Sequence, residues 1–570
     1  EAGAEDTAAG AAAAQAAADA AAAAAQAAQD ASAAAAEAAD LAAEAVAAAA
    51  ADDMEDDMPA GAPRRGGISK TSWVDSLFTG WDPHSSLSGG DNLGFLNYVY
   101  DRVLGFNDDA SWKGELAETV EIPDDLTYIF HMRPGAIFQD GAPVDAHAMQ
   151  ANMERVQATS DAAGGTRNAD GIARAVSMGA VDDTSWRMET SEPFGPTLAA
   201  FQAFPGTGML ISPDKFDIAL TDPVGAGAAK YVSYAEDDRF VAERWDGYWD
   251  NDNVWVDGME RIVVPDMNTS WTAFLDGEFT LAQPPPAAVT GELTAQLEAD
   301  GYAVAAGPDQ TWTWNCYNLN QAAEGFNQFR DTRLRRAVHL IIDRQAVIDV
   351  AFRGLGEPSR GPTSNTSWAL TKDYYSDSPN LDEARQLIDA AGYSDGIEGV
   401  QLSWSLDIHR AQTEVVHAQL AAMGINMEFV HGSETVIIDR WLGAADWSLG
   451  TLTWESPFDP DPVLRQFLGV LGGIHLGGAT PEDSPNDELV QGLAETQALV
   501  DKAASVATQA ERIPLYDECF QVYQEWGWQH HVLQRPKAMV AQSYVEDFRL
   551  VPFFAFPDGM GFKKIWFNNV

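Results

Sequence analysis

The chain has 570 residues, 86 of them acidic and 34 basic, and a formal net charge of −52. This length allows more than one domain with a large core. The acidic excess argues against nucleic acid or an anionic membrane surface as a partner, because both attract basic patches, and it favours a well-solvated surface.

The two cysteines and the start of the chain bear on the cellular compartment. Cys316 and Cys519 lack the spacing of metal ligands, and the sequence leaves open whether they pair in an oxidising compartment. The chain begins at Glu1 without a charged and apolar leader, so we expect a secretory leader to have been removed. No window contains the roughly 18 strongly apolar residues of a membrane span.

Residues 1–53 consist almost entirely of alanine, the best helix former, which predicts one long helix. Gln15, Gln26 and Glu37 recur every eleven residues, a period that keeps one stripe of a nearly straight helix polar. We expect this arm to pack against other helices, either in a homo-oligomer or fibre or against the body of the protein. A low-complexity spacer is the alternative.

An acidic and then Pro/Gly-rich linker, residues 54–66, separates the arm from the globular part. Residues 126–133 alternate like a strand, and Asp145 precedes a predicted helix. Residues 310–318 form an aromatic-rich strand that is expected to cross from one lobe to the other.

Residues 329–364 predict a pair of helices. Asp331 and Asp343 are N-cap candidates, and apolar residues follow each of them at helical spacing. Gly354 and Gly356 end the second helix. Helices and strands are then expected to alternate, at residues 381–396, 400–406, 411–424, 425–430 and 511–528.

The segment 329–364 closely resembles the signature of family 5 extracellular solute-binding proteins, the peptide/nickel-type binding subunits of ABC importers. The residues that carry the resemblance are Phe329, Asp331, Arg335, Ala337, Asp343, Arg344, Gly354 and Pro362. Other segments resemble the family at residues 65–67, 81–84, 124–156, 222–227, 451–462 and 511–528, so that the likeness extends over about residues 64–570.

This resemblance implies an α/β, two-lobed periplasmic-binding-protein-like fold of type II, to which the chain adds the N-terminal Ala-rich helix. Lobe I is expected at 67–309, with 536–570 returning to it, and lobe II at 310–535. The implied function is the capture of a small polar ligand (peptide, opine or sugar-like) in an interlobe cleft and its delivery to an ABC permease. The expected location is periplasmic, cell-surface or extracellular. No cofactor is expected.

The sequence gives little support to an enzymatic function. The motifs G-x-S-x-G, H-E-x-x-H and G-x-x-x-x-G-K-[ST] are all missing. Ser212 and Lys215 fit S-x-x-K without its companion motifs, and an ordinary helix N-cap explains the serine. His530 and His531 are adjacent, so on a strand their side chains face opposite ways and do not chelate one metal. A structural or assembly protein that reuses the fold and oligomerises through the arm is the alternative function.

The candidate ligand contacts are aromatic and polar residues of the predicted second lobe. Tryptophan offers a flat apolar face and one hydrogen-bond donor, which suits stacking on sugars or cationic groups. In peptide-binding members of the family an aspartate anchors the peptide amino group. The matching position here is Ser456, beside Glu455, so we expect Glu455 to bind a cationic group or the site to be neutral and sugar-like. The full predicted set is Trp314, Asn315, Trp404, Trp441, Trp454, Glu455 and Ser456.

Overall fold

The computed structural model describes most of the chain after the predicted arm. The described residues are 62–73, 80–85, 96–107, 112–162, 169, 171–203, 205–285, 291–375, 379–404, 407–432, 436–437, 439–455, 459–506, 508–548 and 562–569. The predicted Ala-rich helix, residues 1–53, lies outside them.

The described strands are numbered in chain order. They are β1 Ile68–Trp73, β2 Leu104–Phe106, β3 Trp112–Gly114, β4 Ala117–Asp124, β5 Thr127–Met132, β6 Ala175–Ala180, β7 Ser185–Thr190, β8 Ala229–Ala235, β9 Arg239–Arg244, β10 Gly258–Val263, β11 Leu281–Ala282, β12 Ala303–Tyr317, β13 Glu357–Pro358, β14 Ile397–Ser403, β15 Ile425–His431, β16 Leu449–Glu455, β17 His530–Ala541, β18 Val545–Glu546 and β19 Trp566–Phe567.

The described α-helices surround these strands. They are α1 Ala146–Ala162, α2 Thr197–Ala203, α3 Pro205–Gly208, α4 Met267–Leu275, α5 Gly291–Ala299, α6 Thr332–Ile341, α7 Arg344–Phe352, α8 Leu381–Ala390, α9 Asp407–Ala421, α10 Asp461–Val470, α11 Glu488–Ala504 and α12 Gln509–Trp526.

In the described part of the chain, eleven strands form one continuous sheet in the order β15-β14-β16-β12-β17-β11-β1-β10-β9-β8, with β13 also paired to β17. The long antiparallel pair β12–β17 extends from Ala303↔Ala541 to Asn315↔His530. Strands β1 and β8–β11 lie at one end of this pair and define lobe I, whereas β14–β16 lie at the other end and define lobe II. The α/β, two-lobed architecture predicted from the sequence is confirmed.

Each lobe has its own hydrophobic core. Lobe I also carries a four-stranded sheet, β4-β5-β7-β6, whose buried face packs on α1. The described residues 562–569 pack against lobe I: Phe562 contacts Tyr98, and Lys563 Nζ lies 3.2 Å from the buried Asp101 carboxylate. In lobe II, helices α6–α12 cover the sheet around a core that includes Tyr317, Phe329 and Trp528.

Local sequence signals account for the helix ends in lobe II. The Asp331 carboxylate accepts from the Arg333 N–H at 2.9 Å, and that of Asp343 accepts from the Ala346 N–H at 2.9 Å, so both predicted N-caps are confirmed. Helix α7 ends where Arg353 and Gly354 adopt positive φ of 52° and 84°.

The two cysteines are free and buried in different clusters of lobe II: Cys316 belongs to the cluster that contains Trp314, and Cys519 to the one that contains Tyr516. None of the helices described here combines the length and the apolar character needed to cross a membrane.

Candidate functional site

The carboxyl ends of strands from both lobes face each other across the β12–β17 pair. In lobe I, β1 is parallel to β10 and β11, and β11 is antiparallel to β17, so β1, β10 and β11 run toward lobe II. In lobe II, β16 is antiparallel to β12 and parallel to β14, which is parallel to β15, so these three run toward lobe I. Ligands of open α/β sheets bind beyond the carboxyl ends of strands, which makes the space between the lobes the candidate site.

At the lobe II edge of this space, α9 begins soon after β14 and brings His409 against β17. Arg535 Nη1 donates to His409 Nε2 at 2.9 Å, across the strand that connects the lobes. Burial first, and then the Arg535 charge, hold the pKa of His409 well below its ordinary value. His409 is therefore a neutral hydrogen-bond acceptor at this edge.

Asn315 lies within a polar network between the lobe II sheet and α9. Its side-chain Oδ1 accepts from Thr451 Oγ1 at 2.8 Å, and Thr451 Oγ1 in turn accepts from Gln401 Nε2 at 2.9 Å. On the same face, Thr313 Oγ1 donates to Gln412 Oε1 at 2.7 Å. The Asn315 side chain is fully buried, and its amide nitrogen has no hydrogen-bond partner among the described residues.

Trp314, Trp404 and Trp441 lie together in a buried aromatic cluster on the opposite face of the sheet. The Trp314 ring contacts Trp441 edge-on at 5.8 Å and Phe467 at 4.7 Å between centroids, and it has no exposed surface. Protein packing accounts for all three rings. Their predicted contact with a ligand stays a prediction.

The remaining predicted contacts are at the carboxyl end of β16. Trp454 and Glu455 are its last two residues, so their backbone reaches the edge that faces lobe I. Their side chains, and the whole of Ser456, lie outside the described residues.

A buried ion pair that the sequence analysis did not single out holds the segment after β16. Arg512 of α12 donates to both carboxylate oxygens of Asp459, at 2.6 and 2.8 Å, and to Tyr516 Oη at 2.7 Å. Although burial alone lowers the pKa of Arg512, the Asp459 carboxylate raises it above its ordinary value. Both partners lie in segments that resemble the family, 451–462 and 511–528, but nothing local in the sequence pairs them.

The neighbouring carboxyl group has a different environment. Burial raises the pKa of Asp461, and the charge of Arg465, whose Nη2 lies 2.9 Å away, opposes that rise. Asp461 is the first residue of α10, and a proline in the first turn suits the start of a helix.

The described residues offer no metal site: no group of three or more His, Cys, Asp or Glu side chains is placed to hold an ion. His530 and His531 are both buried in β17, and Tyr317 Oη lies 2.9 Å from His530 Nδ1. Ser212 Oγ donates to Asp140 Oδ2 at 2.6 Å, which gives the serine a structural partner.

The chain is similar to known proteins along most of its length. A family model described as bacterial extracellular solute-binding proteins, family 5 Middle, matches residues 111–473. The glutathione-binding protein GsiB of Salmonella paratyphi A is 28% identical over 362 residues, which span 62% of this chain and 67% of that protein.

Solved structures show the same fold. The binding protein DppA of Helicobacter pylori, in complex with the peptide STSA, superposes with a TM-score of 0.73 and 20% identity, covering 89% of this chain and 99% of DppA. The binding protein AgaA of A. tumefaciens R10, in complex with agropinic acid, superposes with a TM-score of 0.71 and 19% identity, covering 88% and 99%.

Proposed function

The chain belongs to the bacterial extracellular solute-binding proteins of family 5, and we propose that it captures a small polar solute between its two lobes for an ABC importer. The observation that carries this function is the family match over residues 111–473, which spans both lobes and the strand that first connects them. The protein is a binding protein and not an enzyme.

The mechanism proposed for capture is closure of the lobes about β12 and β17. A ligand that touches both lobes binds the closed form more tightly than the open form and shifts the population toward it. The ligand class proposed here is a peptide, an opine or a sugar-like solute. The peptide and agropinic acid held by DppA and AgaA support it, because both are small and polar.

The proposed function predicts that a ligand raises the melting temperature without being consumed. Binding only the native state adds about 2.7 kcal/mol of stability at a hundredfold excess over Kd. A thermal-shift screen of glutathione, dipeptides, opines, sugars and metal chelates tests this, with each hit followed by mass spectrometry of the compound. Hydrolysis of a compound, with no shift from any, would contradict the proposal.

The predicted contacts at the carboxyl end of β16 are tested separately. Trp454→Ala is expected to weaken the binding of a ligand found in that screen by about 1–3 kcal/mol, the loss typical of an aromatic anchor. Isothermal titration calorimetry measures the loss, and the circular dichroism spectrum and ligand-free melting temperature serve as the folding control. An unchanged Kd in a folded variant would assign Trp454 to the core.

The cellular location, the membrane partner and the oligomeric state also remain proposals. We assign the protein to the outside of the cytoplasmic membrane, with a membrane permease as its partner. The predicted homo-oligomer or fibre through residues 1–53 stays a prediction, as does the assembly function that depends on it.

A further inference from the structure

The two lobes touch at a second place, distinct from the β12–β17 connection. Phe194 and Gly195 follow β7 in lobe I, and they meet α10, α11 and α12 of lobe II. The Gly195 N–H donates to the Ala504 carbonyl oxygen at 2.8 Å. The Arg465 guanidinium of lobe II lies 5.9 Å from the centroid of the Phe194 ring.

The lobe I side of this contact is held rigidly by its own lobe. The Phe194 carbonyl oxygen accepts from Tyr128 Oη at 3.1 Å and from Thr197 Oγ1 at 2.8 Å. The Arg174 guanidinium covers the Phe194 ring at 3.8 Å from its centroid. The segment therefore presents a fixed surface to lobe II.

The lobe II side is equally fixed. Arg465 pairs with Asp461 at 2.9 Å and with Asp501 at 2.6 Å, so its guanidinium stays beside Phe194. Arg512 is held by the Asp459 carboxylate. Because both sides are rigid, any change in their separation must come from movement of one lobe against the other.

Glycine is required at position 195 by the closeness of the lobes. A Cβ atom added there would lie 2.4 Å from the Val506 carbonyl oxygen and 2.9 Å from Arg512 Cδ. A backbone oxygen has no rotamer by which to move away, so the clash is relieved most cheaply by separating the lobes at their hinge.

From these contacts we infer that Phe194–Gly195 and the facing residues Ala504, Val506 and Arg465 form an interlobe latch. The latch stabilises the closed arrangement of the lobes through contacts of the protein with itself. It rests on the proposed hinge closure but on no particular ligand. The protein alone therefore populates the closed form, and a ligand binds a cleft that is already partly assembled.

The test is a distance measurement between the lobes without ligand. Spin labels are placed at Ile122→Cys on β4 and Val350→Cys on α7, which are 45% and 67% exposed. The native Cys316 and Cys519 are buried and free. Double electron–electron resonance then gives the distance distribution for the otherwise wild-type protein, for Gly195→Val and for Gly179→Val. Gly179 is the matched control, because a Cβ added to it would have no atom within 4 Å.

A short-distance population is expected in the wild type and in G179V. In G195V it is expected to fall about tenfold relative to the open population, as for a steric clash of moderate size. Phe194→Ala, which removes the Arg465 contact without adding a clash, is expected to shift the distribution the same way by less. This second variant keeps the test decisive if G195V fails to fold.

Identical distributions in wild type and the latch variants, or a wild type with only the open population, would overturn the latch. Either result would leave ligand capture untouched, since capture is judged by the thermal-shift screen. Conversely, a thermal-shift screen that finds no ligand would contradict ligand capture but would not change the interlobe distances of the ligand-free protein.

Discussion

Arg335→Met is expected to destabilise the protein by about 3–5 kcal/mol, because buried acceptors that lose their donor each cost about 1–3 kcal/mol. The guanidinium is fully buried. It donates to the carbonyl oxygens of Phe329 at 2.6 Å and Arg330 at 3.1 Å, and to those of Trp526 and Gly527 at the end of α12 at 3.0 and 3.1 Å.

No carboxylate is among these acceptors, and burial lowers the pKa of Arg335 to about 10. The charge is therefore stabilised by carbonyl dipoles, including those at the negative end of α12. Methionine would fill similar space but leave the carbonyl groups of two chain segments without donors. The loss should appear as a lower free energy of unfolding in urea at pH 7.

Two variants separate this role from a general effect of charge. Arg335→Lys keeps the charge but lacks the planar fork that reaches several acceptors at once, so it should recover only part of the loss. Arg336→Met is the matched control, because Arg336 is the next residue of α6, its side chain is 62% exposed, and it forms a surface ion pair with Glu383. Its cost should stay below about 1 kcal/mol. Equal losses in R335M and R336M would contradict the assignment.

The parts of the fold that local chemistry determines could be predicted from the sequence. The caps at Asp331 and Asp343 need only a side-chain oxygen near the next free backbone N–H groups. The sequence predicts the aromatic strand that joins the lobes at 310–318, and β12 extends it back to Ala303.

Contacts between distant segments could not be predicted in this way. The Arg512–Asp459 pair joins residues 53 apart in sequence, and the Gly195–Ala504 contact joins the two lobes. Each depends on how whole lobes pack, and a single sequence carries no local sign of it.

The predicted ligand contacts show that the aromatic content of a strand does not by itself identify ligand-binding residues. Trp314 and Asn315 both sit in the middle of β12, where the sheet is covered on one face by α9 and on the other by the aromatic cluster. Side chains in such a place pack against the protein on either face of the sheet, so the predicted ligand contacts of Trp314 and Asn315 stay predictions. The backbone at the end of β16, where Glu455 lies, reaches the edge that faces lobe I, whereas Trp404, just after β14, packs in the same buried aromatic cluster as Trp314. Tryptophan content alone does not distinguish the two environments.

Mild acid is expected to unfold the protein, because several buried histidines are neutral in the folded state. Burial is the first cause of a lowered pKa for each of them: His84, His339, His409, His475, His530 and His531. Below the ordinary value of 6.5 the unfolded chain takes up protons that these folded groups do not. The free energy of unfolding therefore falls as the pH falls.

The pH window follows from the shifts. The contribution of the buried histidines to the free energy of unfolding is fully present above about pH 6.5. For His84 and His475 this contribution is lost progressively as the pH falls to their folded-state pKa of about 4. For His475 alone the shift from 6.5 to about 4 corresponds to about 3 kcal/mol. All six histidines lower the free energy of unfolding as the pH falls. Because total free energies of unfolding are commonly 5–15 kcal/mol, their combined loss is expected to unfold the protein. Two buried carboxyl groups, Glu115 and Asp461, have raised pKa values and oppose the loss, since they take up protons earlier in the folded state.

His475→Phe isolates one of these contributions. The His475 ring packs edge-on against Trp447 at 5.6 Å between centroids, and burial alone accounts for its lowered pKa. Phenylalanine keeps an aromatic ring there and cannot be protonated.

Urea unfolding is measured at steps between pH 8 and pH 4.5. Below pH 6, the free energy of unfolding should change with pH by up to about 1.4 kcal/mol per pH unit less in H475F than in the wild type. At pH 8, where histidine is neutral in both states, the two proteins differ only in packing, which supplies the reference. Parallel curves for wild type and H475F across this range would show that His475 is protonated without cost in the folded protein, and the acid sensitivity would then have to come from other titratable groups.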